Sequence, residues 1–397
     1  MTKKKIGMVV QRYGLEVNGG SELHARQLAE LLSKTYDVEV LTTCAIDYIT
    51  WQNEYPAGLT EINGVSVRRF PVKEPRKIEK FNQLSQKIFS DKNHSYFDEL
   101  EWMKQQGPLA LGLLNYLRKN KSKYDVIIFM TYLYFTTYFG LHIAPEKSIL
   151  VPTAHDEPPI YLSIYYSLFH LPRAIMYNTI EEREFIHGKF KNDYIPSQIA
   201  GVGVEVPNKI NAEEFRNKYD IGTNMIIGDK FILYIGRVDP SKGCDELFNY
   251  FIKYKERNKN DIKLVLMGKP VMQIPKHPDI IPLGFVSDQD KFNGISAAEL
   301  VVMPSHFESL SMVVLESMKL GKPVLVNGQC KVLKGHCIRS NAGLYYTNFD
   351  EFEECLNVIL SKKYVVKRMG INGKKYVSKN YNWFIIEQKF IKIIDEI

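Results

Sequence analysis

Short apolar runs alternating with amphipathic stretches constrain this chain most, because the alternation occurs twice. Residues 5–10 (Lys-Ile-Gly-Met-Val-Val) read as a buried strand. The turn Asn18-Gly19-Gly20-Ser21 follows, then a helix over 22–34 with leucines at 23, 28, 31 and 32, then a strand over 38–42. The leucine spacing follows the helical period, and a strand–helix–strand unit implies a parallel sheet with right-handed crossovers. Further strands are expected at 65–70, 126–130, 148–152, 174–178 and 199–204, with helices at 109–119 and 179–188. The pattern breaks between 47 and 107, where aromatic and basic residues mix. It restarts with strands at 231–235, 263–267, 280–283, 300–303 and 323–326, and helices at 245–255, 290–298 and 312–320. Two α/β units of about 200 residues are more natural than one giant sheet. The expected division is 1–205 and 206–380, with a linker in the polar stretch 207–229. The closing segment 381–397 holds an amphipathic helix whose Phe384, Ile385, Phe390, Ile391 and Ile394 need a surface to cover.

Composition narrows the class. Of 397 residues, 45% are hydrophobic and 24% charged, which suits a packed globular core. No apolar run reaches the length of a bilayer span, and the opening run is too short for a secretory leader. A cytoplasmic protein is therefore expected. The five cysteines form no Cys-x-x-Cys pair, so neither a disulfide framework nor a zinc site is expected. A net charge of +7 suits phosphorylated ligands or an anionic membrane surface, and is also common among soluble proteins.

Two segments carry chemistry. In Tyr234-Ile235-Gly236-Arg237-Val238-Asp239-Pro240-Ser241-Lys242-Gly243, a strand ends and two cations follow on the loop at its carboxyl end. Open α/β sheets bind ligands at that edge. Arg237 offers a planar fork for phosphate oxygens and Lys242 a point charge. In His306-Phe307-Glu308-Ser309-Leu310-Ser311-Met312-Val313-Val314-Leu315-Glu316, one glutamate precedes a helix and another lies within it. The amides of Ser309, Leu310 and Ser311 sit where a helix N-terminus favours phosphate, and a carboxylate at 316 suits a ribose diol. Alone, each segment is also compatible with a solvated loop.

These motifs in this order resemble family 4 glycosyltransferases, the large retaining group with the GT-B fold. The block from Gly236-Arg237 to Lys242-Gly243 and the pair Glu308 and Glu316 are that family's two signatures, followed by Gly321-Lys322-Pro323-Val324. The resemblance runs from Gly19-Gly20 to the last helix. It implies two Rossmann-like, doubly wound parallel-sheet domains facing across a cleft. It gives Arg237 and Lys242 the donor diphosphate, Glu308 the donor sugar hydroxyls and Glu316 the ribose. Gly284-Phe285-Val286 would hold the base through backbone atoms, with Gly19 and Gly20 letting backbone approach the diphosphate. His155 matches the family's first-half histidine near the donor sugar, with Asp156 and Glu157 as supporting candidates. The implied reaction moves a hexose from a nucleotide-diphosphate sugar to a glycan or polyprenyl-linked saccharide, as in surface polysaccharide biosynthesis, with retention and without a cofactor.

Asp288-Gln289-Asp290 has the form of a metal–diphosphate clamp, but Ser287 with Asp290 reads as a helix cap, and no required metal is expected. The stretch 48–106, with Trp51, Tyr55, Arg68, Arg69, Lys73, Arg76, Lys77, Lys80 and Trp102, is a candidate acceptor surface at the inner membrane face, or simply a solvated basic face. Tyr132, Tyr134 and Tyr138 line or fill the same half. A dehydrogenase is excluded because no Gly-x-Gly-x-x-Gly follows the first strand, and no motif supports nucleic-acid binding. A GT-B protein with hydrolytic or epimerising activity, or a non-catalytic subunit, are the alternatives.

Overall fold

The computed structural model describes residues 3–17, 19–90, 93–219 and 230–397. Asn18 of the first turn and 220–229 of the expected linker lie outside them. The chain forms two compact units, one of residues 1–202 with 383–397, the other of 203–382.

Among the described residues, the first unit holds an eight-stranded sheet. Its strands are β1 (Lys5–Val9), β2 (Asp37–Thr43), β3 (Gly58–Ile62), β4 (Val65–Phe70), β5 (Val126–Met130), β6 (Ser148–Val151), β7 (Ala174–Tyr177) and β8 (Ser197–Ile199). They are ordered β3-β4-β2-β1-β5-β6-β7-β8, and every pairing is parallel except the β3–β4 hairpin. Both faces are covered, so the central strands are continuously apolar: all five residues of β5, Val-Ile-Ile-Phe-Met, are buried. Their side chains alternate between two cores. Ile127 and Phe129 join one with Leu113, Leu117 and Tyr165. Val126, Ile128 and Met130 join the other with Leu28, Leu32 and the last helix's Ile386, Phe390, Ile393 and Ile394. That helix, Trp383–Glu396, is fixed further by Lys389 Nζ, which donates to the Ile199 carbonyl at 2.7 Å.

The second unit's sheet is all parallel. Its strands are β9 (Phe231–Ile235), β10 (Lys263–Met267), β11 (Ile280–Gly284), β12 (Leu300–Met303), β13 (Val324–Asn327) and β14 (Gly343–Tyr346), in the order β11-β10-β9-β12-β13-β14. Each sheet winds outward in both directions from a central strand. The direction reverses between β1 and β5 in the first unit and between β9 and β12 in the second. Loops leaving the two reversing strands splay apart, which opens a crevice at their carboxyl ends. No helix among the described residues is long and apolar enough to cross a membrane.

Phe390 is fully buried under the first sheet. Phe390→Ala is expected to remove about 3 kcal/mol or more of first-unit stability, read as a lower urea midpoint.

Candidate functional site

In the second unit the two signature segments meet at the reversal point. Arg237 and Lys242 leave β9, Glu308 leaves β12, and β9 pairs directly with β12. Lys242 Nζ lies 2.8 Å from Glu308 Oε1, joining residues 66 positions apart. Gly243 makes this approach possible. Its φ is +73°, and a Cβ there would stand 2.4 Å from the Pro304 carbonyl oxygen at the head of the Glu308 loop. Any side chain would force the loops apart.

Arg237 is held by Asp239, whose Oδ2 lies 2.7 Å from Nε and whose Oδ1 accepts the Ser241 N–H at 2.8 Å. Burial raises the Asp239 pKa, but the Ser241 N–H and the Arg237 cation outweigh it and hold it below the usual range. Asp239, which sequence reasoning does not single out, thus aims the guanidinium.

The loop 309–311 leads into the helix Met312–Lys319. Ser311, at its N-cap, has φ +65° and ψ +83°, is 8% exposed, and its hydroxyl makes no capping bond. A non-glycine residue held there stores about 1 kcal/mol or more, and such strain gathers at functional loops. His336 braces this loop. Its buried ring is 2.9 Å from the Leu310 carbonyl through Nε2 and 3.1 Å from the Tyr376 hydroxyl through Nδ1. The carbonyl only accepts, so Nε2 carries the proton. Burial, with Arg339 nearby, pushes the His336 pKa down to about 4, keeping the ring neutral.

Glu316 lies inside the same helix, 5% exposed. Lys291 Nζ donates to Oε1 at 2.9 Å, whereas Oε2 is buried without a partner among the described residues. Burial raises its pKa against the pull of Lys291. Lys291 is a further residue that sequence reasoning misses; it sits on the helix Asp288–Ala297, just beyond Gly284-Phe285-Val286 at the end of β11. The Phe285 side chain is 76% exposed and Val286 is half-buried. Ser287 Oγ accepts the Asp290 N–H at 3.1 Å, and Asp290 Oδ2 takes Lys218 Nζ at 2.7 Å and the Tyr219 hydroxyl at 3.2 Å. Ser287 therefore caps the helix, and the acidic triplet forms its first turn.

The first unit carries the remaining candidates. Gly19 has φ +153°, and a Cβ there would fall 2.2 Å from Glu22 Oε2. Its immediate duty is to make room for a buried ion pair in which Glu22 Oε1 accepts from Arg12 at 2.6 Å and from Gln11 at 2.8 Å. Gly20 begins the helix Gly20–Leu32, with open space where its side chain would be. His155 follows β6. Its Nε2 lies 3.4 Å from Glu157 Oε2, and the buried Tyr132 hydroxyl donates to Glu157 Oε1 at 2.8 Å. Asp156 accepts from the Tyr161 hydroxyl at 2.6 Å.

Glu182 holds the His155 loop from behind. It is fully buried and accepts the Ala154 and Asn178 N–H groups at 2.6 Å each. Burial pushes its pKa up to about 8 despite these bonds. The signal for Glu182 is its position three after the N-cap Thr179. The β-branched Thr131 and Thr153, at φ +66° and +51°, place backbone strain at the ends of β5 and β6.

Much of the stretch 48–106 belongs to the fold. Trp51 and Trp102 are buried, their N–H groups donating to the Gln106 carbonyl at 2.8 Å and to Ser85 Oγ at 2.9 Å. Arg68 pairs with Glu39 at 2.7 Å, and Arg69 donates to the Tyr13 carbonyl at 2.9 Å. Tyr132, Tyr134 and Tyr138 pack inside this unit, while Lys73, Lys77 and Lys80 are exposed.

Comparison with known proteins shows what the chain is similar to. Residues 215–376 match the family model described as "Glycosyl transferases group 1". The chain resembles sucrose-phosphate synthase of Thermosynechococcus elongatus over 99% of both chains, with a TM-score of 0.72 and 14% identity. It also resembles Anabaena HepE, solved with UDP-glucose, over 99% of this chain and 100% of that one, with a TM-score of 0.69 and 13% identity. The fold is that of the GT-B glycosyltransferases. An uncharacterised glycosyltransferase of Methanocaldococcus jannaschii is 24% identical across 98% of this chain and 97% of its own length. Together the matches support a glycosyltransferase.

The braced loop sets how stability should respond to pH and to substitution. His336 has a folded pKa of about 4 against 6.5 for the ordinary imidazole, so below pH 6.5 only the unfolded chain takes up its proton. Stability should fall as pH drops from 6.5 to 4, by on the order of 3 kcal/mol. His336→Gln, which keeps both hydrogen bonds, should flatten urea midpoints across that window. Ser311→Gly should raise stability by about 1 kcal/mol, read from the same midpoints, by relieving the left-handed backbone.

Proposed function

We propose that this chain is a retaining hexosyltransferase of family 4, transferring from a nucleotide-diphosphate sugar to a glycan or polyprenyl-linked saccharide acceptor in the cytoplasm. The observation that carries the reading is the contact of Lys242 with Glu308 at the second unit's reversal point, with Arg237 on the same loop. A diphosphate there would meet two cations and the amides of 309–311 at a helix N-terminus. Glu308 would grip the sugar hydroxyls and Glu316 the ribose. UDP-glucose in HepE, a protein of the same fold, supports a nucleotide-sugar donor. His155, oriented by Glu157, would hydrogen-bond a hydroxyl of the sugar.

Each cation already has a carboxylate partner: Asp239 for Arg237 and Glu308 for Lys242. The donor phosphates would share Arg237 with Asp239 and draw Lys242 away from Glu308, releasing that carboxylate for the sugar. As the glycosidic bond breaks, the sugar acquires oxocarbenium character and negative charge grows on the departing phosphate. Preformed cations and N–H donors aimed at that charge supply the largest catalytic term. In this reading the departing phosphate takes the acceptor's proton on the face it leaves, which gives retention without a carboxylate nucleophile. Neither a cofactor nor a required metal enters the scheme.

Arg237→Ala and Glu308→Gln are each expected to lower donor turnover about a hundredfold, equivalent to about 3 kcal/mol. Sugar release from UDP-, GDP- and ADP-sugars, measured with and without a lipid-linked saccharide, checks this. Turnover that survives both substitutions would sink the proposal, and equal hydrolysis in water alone would favour a hydrolytic activity. A thermal-shift screen with the same donors identifies the base, because a ligand that binds only the folded state raises the midpoint.

A further inference from the structure

The first unit contains an open pocket of about 260 Å³ at the carboxyl end of its sheet. Trp51 and Gly107 line its depth, and Arg76, Lys77, Lys80 and Lys104 supply its charge, against Glu74 and Glu101. Lys104 is paired with Glu101 at 3.4 Å. Within the lining that leaves three cations facing one carboxylate, with Asp47 acting on Arg76 from outside it, and among the described residues no carboxylate lies within ion-pair distance of Arg76, Lys77 or Lys80.

Arg76 is the fixed part of this site. Its guanidinium donates to the carbonyls of Gln105 at 3.3 Å, Tyr48 at 3.4 Å and Gln106, and to Gln106 Oε1 at 3.2 Å. It also lies 5.1 Å from the Trp51 ring and 4.5 Å from the Phe81 ring. Carbonyls and ring faces orient the cation without cancelling its charge. Burial lowers its pKa to about 10, so it remains charged at neutral pH. Arg76 is half-buried, with the Asp47 carboxylate near enough to act on its charge and two exposed lysines beside it at the pocket. The volume lies below the range of about 300–1,000 Å³ typical of pockets that enclose a whole drug-sized ligand. It suits a compact anionic group rather than a saccharide.

We propose that this pocket binds a phosphate or diphosphate group, and that it is a second anion site distinct from the donor site of the second unit. Resting on the glycosyltransferase reading, the group belongs to a phosphorylated acceptor, with Arg76 as the anchor and Lys77 and Lys80 as the closing cations. A lipid-linked and a water-soluble acceptor would present the same chemistry.

The test uses the full chain with saturating UDP, so that the donor site is filled. Inorganic pyrophosphate is titrated by calorimetry into the unsubstituted protein and into a Lys77→Ala/Lys80→Ala double variant. Both lysines are exposed, so the variant is expected to fold and to keep its UDP-induced thermal shift. Pyrophosphate affinity is expected to fall about tenfold or more in the variant, and to weaken in both proteins as salt rises. In parallel, flotation is measured with phosphatidylcholine vesicles with and without phosphatidylglycerol. Loss of anionic-vesicle binding in the variant assigns the group to a lipid, and loss of pyrophosphate binding alone assigns it to a soluble phosphate. Equal binding by both proteins in both assays overturns the inference and leaves the donor reading intact. A variant that loses pyrophosphate, in a protein whose midpoint no nucleotide shifts, upholds the anion site and defeats the donor reading.

Discussion

The close passage of Gly243 beneath the Pro304 carbonyl is the constraint on which the second unit's site depends. Winding about β9 and β12 brings two loops to the same crevice, but strand order alone does not make them touch. The missing side chain at 243 lets them meet, and the meeting becomes an ammonium–carboxylate contact between Lys242 and Glu308. The requirement is steric, and its product is electrostatic.

A common device recurs around the molecule's polar centres. Arg237 rests against Asp239, Lys242 against Glu308, Lys291 against Glu316 and Arg12 against Glu22. Each pair keeps a poorly hydrated charge from standing alone. Behind the pairs stand neutral or partly neutral supports. His336 carries its proton on Nε2 to hold the Leu310 carbonyl, and Glu182 gathers two backbone N–H groups beside His155. Strain in the left-handed residues Thr131, Thr153 and Ser311 lies at the same sheet edges as these supports. The cost of that strain is borne by the packed strands beneath it.

The sheets are legible in the sequence because their strands are buried on both faces and read as unbroken apolar runs, as at 126–130 and 231–235. The helix cap at Ser287 and Asp290 is legible because it needs only neighbours. Contacts made by strand order are not. Nothing at residue 242 announces residue 308, because their meeting depends on β9 lying beside β12 rather than beside the next strand alone. The mixed stretch 47–107 conceals local signals that are present. Asn63-Gly64 turns the β3–β4 hairpin, and Ser95 with Asp98 forms a capping box for the helix Tyr96–Gln106. Its tryptophans look like surface stacking platforms, yet both bury their rings and satisfy their N–H groups internally. Amphipathic residues obey burial or solvent with equal ease, so composition cannot assign them.

Residues 203–382 are bracketed on both sides by sequence of the first unit, which makes the second unit an insertion. The backbone crosses the boundary twice. A protease cut near residue 382 would therefore separate a short carboxyl-terminal peptide whose attachment to the first sheet is apolar burial plus the Lys389 tether. Isolating the second unit as an autonomous fragment calls for two scissions. A chain shortened at only one of them either lacks the greasy strip that seals the first sheet or carries it without the sheet it was made to cover.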